Sequence, residues 1–205
     1  MPVLADIPFP DFQKRQRIAM PAPSLSREEV AQILLAEFRR SGYEGASLST
    51  LSAATGLGKS SLYHYFPNGK VDMGRAAMEV VGHWMREKVV PLLTSEAEPE
   101  KRLKRYFAAM SEFYAKGTLP CLTDLFTIGE AATYFQQQFK QNIGNTIKLI
   151  SAVLEDAGFA PAEAARRAED GLVMMHGALV VSRAQGSTAV FTRVVRAIPD
   201  VLLAE

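Results

Sequence analysis

SLSTLSAATGLGKSSLYHYF, residues 47–66, reads as two short helices joined by a glycine-bearing turn. Leu48, Leu51, Leu57, Leu62, Tyr65 and Phe66 share one inward surface if helices run from about Leu48 to Thr55 and from Lys59 to Phe66. Gly56 then sits in the turn, Ser47 is a good N-cap, and Gly58 opens the second helix. With Leu62, Tyr65 and Phe66 inward, the 3.6-residue period leaves Lys59, Ser60, Tyr63 and His64 outside. A cation, a hydroxyl, a phenol and an imidazole are groups that contact phosphates and base edges, and a helix presenting them suits a major groove.

The preceding segment supplies a third helix. Ser26 begins the capping box S-R-E-E with Glu29, and Val30, Ile33, Leu34 and Phe38 follow at helical spacing, predicting a helix from about Arg27 to Ser41 that ends at Gly42. Its apolar stripe packs on Leu48, Leu51, Leu62 and Phe66, making a small unit over 26–70 whose last two helices form a helix-turn-helix. Residues 1–25 hold Pro2, Pro8, Pro10, Pro21 and Pro23 and read as a flexible arm. Lys14, Arg15 and Arg17 in that arm either reach a minor groove or belong to an ordinary solvated tail.

Composition sets the bounds. The chain has 205 residues and is 48% hydrophobic, enough for a real core. Its net charge of +1 does not advertise a nucleic-acid partner, but no acidic residue stands between Glu44 and Asp72, and that gap coincides with the helix pair. Cys121 is the only cysteine, so no intrachain disulfide can form; it reads as a buried small hydrophobe, with a regulatory thiol as the sharper alternative. No apolar run reaches the roughly 20 residues that span a bilayer, and the first residues lack the form of a signal peptide, so a cytoplasmic protein with no membrane partner is expected.

Beyond residue 70 the pattern is helical throughout. Helices are predicted over Val71–Leu93, disturbed at its end by Pro91, then over about Lys101–Lys116, Thr123–Gly129, Ala131–Ala157 and Ala162–Gln185, with a loop over Thr94–Pro99. A last helix follows Gly186, capped by Ser187 and bent or ended by Pro199. Leu172 to Val181 is apolar nearly all round, which implies cover on both sides. We therefore expect the last two helices to pack on the body with one face and on their copies in a second chain with the other. Leu172, Met175, Leu179, Phe191, Val194, Val195 and Ile198 are the candidate contacts of that homodimer. A monomeric core is the alternative, and it leaves this apolar surface hard to place.

Enzyme motifs do not survive inspection. Gly58-Lys59-Ser60 echoes a phosphate-binding loop, but Ala53 stands where its first glycine is required. No nucleophile elbow, metalloprotease motif or Cys-His metal spacing occurs, and no carboxylate pair stands out, so neither an enzyme nor a metal or cofactor is expected.

GYEGASLSTLSAATGLGKSSLYHYF, followed by Lys70 and Met73, resembles the N-terminal domain of the TetR family of bacterial repressors over about Ser26 to Met78. The FPNGK run at 66–70 is one residue longer than in most members and resembles the LmrA-like branch. The resemblance implies an all-α fold, with a helix-turn-helix DNA-binding domain at 26–70 and a helical ligand-binding and dimerisation domain at 71–205. It implies that Ser47 and Lys70 grip phosphates from helix N-termini, with Lys59, Ser60, Ser61, Tyr63 and His64 along the groove. It also implies a pocket for a small apolar effector, for which Trp84, Phe107, Met110, Phe113, Tyr114, Phe126, Met174 and His176 are the candidates; the same side chains would equally make a packed core. The function so implied is a repressor that binds a pseudo-palindromic double-stranded DNA operator as a dimer and is released by its effector. A dimeric small-molecule-binding protein with a vestigial helix-turn-helix is the alternative.

Overall fold

Ser26 opens the first helix as its sequence requires. Its hydroxyl accepts the backbone N–H of Glu29, and the Glu29 carboxylate accepts the backbone N–H of Ser26 at 2.8 Å. The computed structural model describes residues 25–204; residues 1–24 of the expected arm lie outside them. Helix α1 spans Arg27–Gly45 but breaks at Gly42, which has φ 69°, so its regular part stops where the glycine predicts. Helices α2 (Leu48–Thr55) and α3 (Lys59–Tyr65) follow, and between them Gly56 takes φ 69°, a left-handed turn that a side chain would strain.

Helix α4 (Lys70–Trp84) runs into a π turn at Met85–Val89 and then into α5 (Val90–Leu93). Pro91, which has no N–H to donate, is the second residue after the π turn, where its expected disturbance of this segment falls. The body continues with α6 (Pro99–Phe113), α7 (Leu122–Phe126), α8 (Ala131–Asp156), α9 (Pro161–Gln185) and α10 (Ala189–Leu203). The described residues are helical and loop, with no strand among them.

The ends of α6 and α10 depart from expectation. Helix α6 begins earlier, with Pro99 at its first turn, and ends at Phe113 and not Lys116, because Ala115 (φ 45°) and Lys116 (φ 56°) are left-handed. Helix α10 neither ends nor breaks at Pro199: the ring costs one backbone hydrogen bond, and burial of Ile198, Pro199 and Leu202 on the body holds the helix to Leu203. Ser187, the expected cap, accepts the N–H of Ala189 at 3.3 Å but stands one residue before the N-cap of the helix, Thr188.

Two apolar cores result. One joins Leu34, Phe38, Leu51, Leu62 and Phe66 to Met73 and Ala77 of α4, and it extends to Phe126, Phe135 and Phe139 of α7 and α8. Gly74 permits this extension, because a Cβ there would lie 2.7 Å from the Phe135 ring. The second core is formed by α6, α8, α9 and α10 around Phe107, Leu154, Met175, Leu179, Phe191 and Ile198. Glu44 adds a polar tie, its carboxylate accepting the N–H of Ala131 at the start of α8 at 3.1 Å.

Candidate DNA-binding and effector sites

Helix α3 is held by one sealed residue and presents the rest. Leu62 is fully buried, and Leu48, Leu57 and Tyr65 pack partly buried against the same core. Lys59, Ser60, Ser61, Tyr63 and His64 are exposed, Tyr63 to 48%, with its ring resting near Gly69. The period-based division into inner and outer faces thus holds for this helix. Ser47 is exposed and acts as the N-cap of α2, its hydroxyl accepting the N–H of Thr50 at 3.1 Å. A cap and a phosphate contact use the same exposed helix start.

The start of α4 is more occupied than expected. The Lys70 ammonium lies 4.3 Å from the centroid of the Tyr43 ring, a cation–π contact. Asp72 fills the helix start: its carboxylate accepts the backbone N–H of Asn68 at 2.9 Å and faces Arg75 at 3.4 Å. That backbone hydrogen bond, helped by the Asn68 amide and Arg75, holds the Asp72 carboxyl below its ordinary value. Lys70 therefore meets an aromatic face and a carboxylate-capped turn beside any phosphate.

In the body, a cavity of about 300 Å³ lies between α1, α4, α6, α8 and α9. Of the residues named as candidates for an effector pocket, Met110, Phe113, Tyr114 and His176 line it. Four other candidates do not. Phe126 is fully buried in the first core beside Phe38 and Tyr43, Phe107 is buried in the second, Trp84 stacks behind Phe113 at 4.4 Å, and Met174 is packed against the second core. Aromatic and methionine content alone does not distinguish a wall from a core.

The cavity wall also carries residues that the sequence did not single out. Arg39 reaches it from α1, Val81 and Met85 from α4 and its π turn, and Asn142 and Thr146 from α8. The signal for Arg39 was available: it stands four residues after the buried Leu35 and so extends an apolar stripe with a base. Cys121 is buried at the wall; its sulfur accepts the Tyr114 hydroxyl at 3.2 Å and the N–H of Thr123 at 3.3 Å. Burial pushes this thiol up, but hydrogen bonding and charge from His176, with the Thr123 and Tyr114 donors, leave it below its ordinary value. His176 responds in the opposite sense. Burial lowers its pKa, yet Asp124, whose carboxylate lies 3.8 Å from Nδ1, and Cys121 push it up to about 10. Arg183 faces the same Asp124 at 3.6 Å.

The homodimer contacts need correction. Leu172, Met175, Leu179, Phe191, Val195 and Ile198 are buried within the chain, between α9, α10 and the body, and Val194 packs partly buried against the same core. They are occupied inside one protomer. The outward side of α9 instead carries Val173, 70% exposed, with Val180, Val181, Gly177 and Ala184 at helical spacing along one face.

Comparison with known proteins adds a family to this geometry. Residues 35–77 match the bacterial regulatory proteins of the tetR family, and residues 99–197 match the C-terminal domain of LmrA/YxaF-like transcriptional regulators. The chain is 26% identical over 86 residues to the HTH-type transcriptional regulator LmrA of Bacillus subtilis (strain 168), covering 42% of this chain and 46% of that protein. It is also 26% identical over 81 residues to the HTH-type regulator YxaF of the same organism, covering 40% and 42%. These matches therefore span less than half the length of each relative. A TetR transcriptional regulator from Legionella pneumophila has a similar fold, with TM-score 0.72 and 20% identity over 88% of this chain and 99% of that one. A TetR-family regulator from Agrobacterium tumefaciens gives 0.65 and 22% over 87% and 100%.

Proposed function

The chain belongs to the TetR family of bacterial transcriptional regulators, in its LmrA/YxaF-like branch, and from that premise we propose that it represses transcription as a homodimer on a pseudo-palindromic operator. The observation that carries this reading is α3 itself, which buries Leu62 and turns Lys59, Ser60, Ser61, Tyr63 and His64 to solvent with no acid nearby in sequence. Ser47 and Lys70 would hold phosphates on either side, and the α3 side chains would read the groove.

A single helix of seven residues offers few base contacts, so specificity calls for two copies. The apolar face of Val173, Gly177, Val180, Val181 and Ala184 on α9 supports a two-fold contact, since exposed valines at this spacing favour burial against a second copy. Gly177, where a Cβ would meet nothing within 4 Å, leaves room for a partner helix to approach. An effector in the body cavity would act by favouring a head spacing that no longer matches successive major grooves, through its differential affinity for the two states.

Light scattering and gel shift on DNA from the upstream region of its own gene test the proposal together. The expected result is a dimer in solution, two protomers on each duplex, and loss of both in Val180→Glu. A parent protein that is monomeric and binds duplex one at a time contradicts it.

A further inference from the structure

The charged side chains that line the body cavity have one sign, with the Asp124 carboxylate behind His176. Arg39, Arg86 and His176 line it, and no carboxylate does among the described residues. Arg39 is only 5% exposed, and its Nε and Nη1 have no hydrogen-bond partner among the described residues. Against its guanidinium lies the Phe113 ring, 4.5 Å from Cζ to the centroid. The nearest acid in sequence, Glu37, is taken by Arg40 at 2.7 Å and by the Ser41 hydroxyl at 2.7 Å. A buried guanidinium facing an aromatic ring and an open cavity is unfavourable by itself, and it becomes favourable when a planar acceptor arrives.

We propose that the cavity binds a small monocarboxylate with an apolar body, its carboxylate pairing with Arg39. The walls fit the rest of such a molecule. Met85, Met110, Phe113 and Ile143 offer an apolar surface, and about 300 Å³ has room for roughly ten water-sized groups. Arg86 is exposed at the rim and makes no ion pair among the described residues, so it adds attraction at the entrance. The site refines the effector reading above, on which it rests, from an apolar molecule to an amphipathic anion. It also states a route to the DNA. Arg39 belongs to α1, whose Leu34 and Phe38 lie in the core that holds α2 and α3, so the ligand's charged end touches the head directly while its apolar end lies against α4 and α6.

Trp84 is the one tryptophan of the sequence and stacks on Phe113, so its fluorescence reports on the cavity wall. Titration with 4-phenylbutanoate and decanoate, against 4-phenylbutanamide and decanamide, excited at the red edge of the tryptophan band, tests the charge requirement. The acids are expected to bind the full-length dimer at least tenfold more tightly than the amides. Arg39→Met and Arg39→Gln are expected to abolish that preference while amide affinity stays within about twofold, and neither variant, unliganded, should melt below the parent. Acids that bind no better than the amides or not at all, a preference that survives both substitutions, or variants that melt well below the parent overturn the proposal. Gel shifts on the same preparations separate the two readings. DNA binding with no acid preference removes the anion site and leaves the regulator; acid preference with no DNA binding does the reverse.

Discussion

Phe38 and Arg39 are neighbours on α1 and face two different interiors. Phe38 is fully buried among Tyr43, Phe126 and the apolar residues of α1. Arg39 is almost as buried, yet it borders a cavity and keeps two guanidinium nitrogens unpartnered among the described residues. One interior is filled by aromatic rings around Phe38. The other has space, a π turn in its wall, and buried charge at Arg39 and His176. Within one chain, the first core fixes the position of α3, and the second interior leaves a cavity beside buried charge.

Substitution at each side sharpens the contrast. The largest effect is expected at Phe38→Ala, which leaves a cavity in a core that has none to spare and should cost about 3–5 kcal/mol in urea denaturation, with DNA binding lost alongside. An intermediate effect is expected at His176, whose pKa is raised to about 10. A raised folded-state pKa means that the contribution is complete below about pH 6.5, the ordinary histidine value, and is lost as pH climbs towards 10. His176→Gln should therefore cost about 2 kcal/mol at pH 6, the scale of a charge-assisted contact, and its melting temperature should converge on the parent's near pH 10. A constant difference across that range would show that His176 acts by packing and not by charge. The smallest effect on stability is expected at Arg39→Met, one residue from Phe38, because removing an uncompensated buried charge relieves a cost. A loss there comparable to that of Phe38→Ala would erase the distinction between the two interiors.

How far the sequence reached follows the same line. The bounds of α2 and α3 were legible to about a residue because their signals are local: Ser47 caps, Gly56 turns, and Leu62 sets the face. The capping box of α1 was legible for the same reason. The dimer contacts were not, because a helix apolar on all sides does not say which side its own body covers; α10 and the body took Leu172, Met175 and Leu179 and left Val173 and Val180 outside. Cavity and core were likewise indistinguishable in composition. Phe113 and Phe126 are the same residue type in equally apolar surroundings, and only the packing of α4, α7 and α8 sends one to the wall and the other to the first core. Arg39 was not singled out, because a base next to an apolar stripe does not by itself say whether it faces solvent or a cavity.

The central claim is that the α3 face binds duplex DNA. Fluorescence anisotropy with a labelled duplex from the gene's own upstream region, titrated at several salt concentrations, tests it most directly. The account predicts saturable binding that weakens as salt rises, with Tyr63→Ala at least tenfold weaker and Lys70→Ala weaker with a shallower salt slope, both variants melting like the parent. Variants that bind as tightly as the parent at moderate salt, or an affinity indifferent to salt, would contradict it.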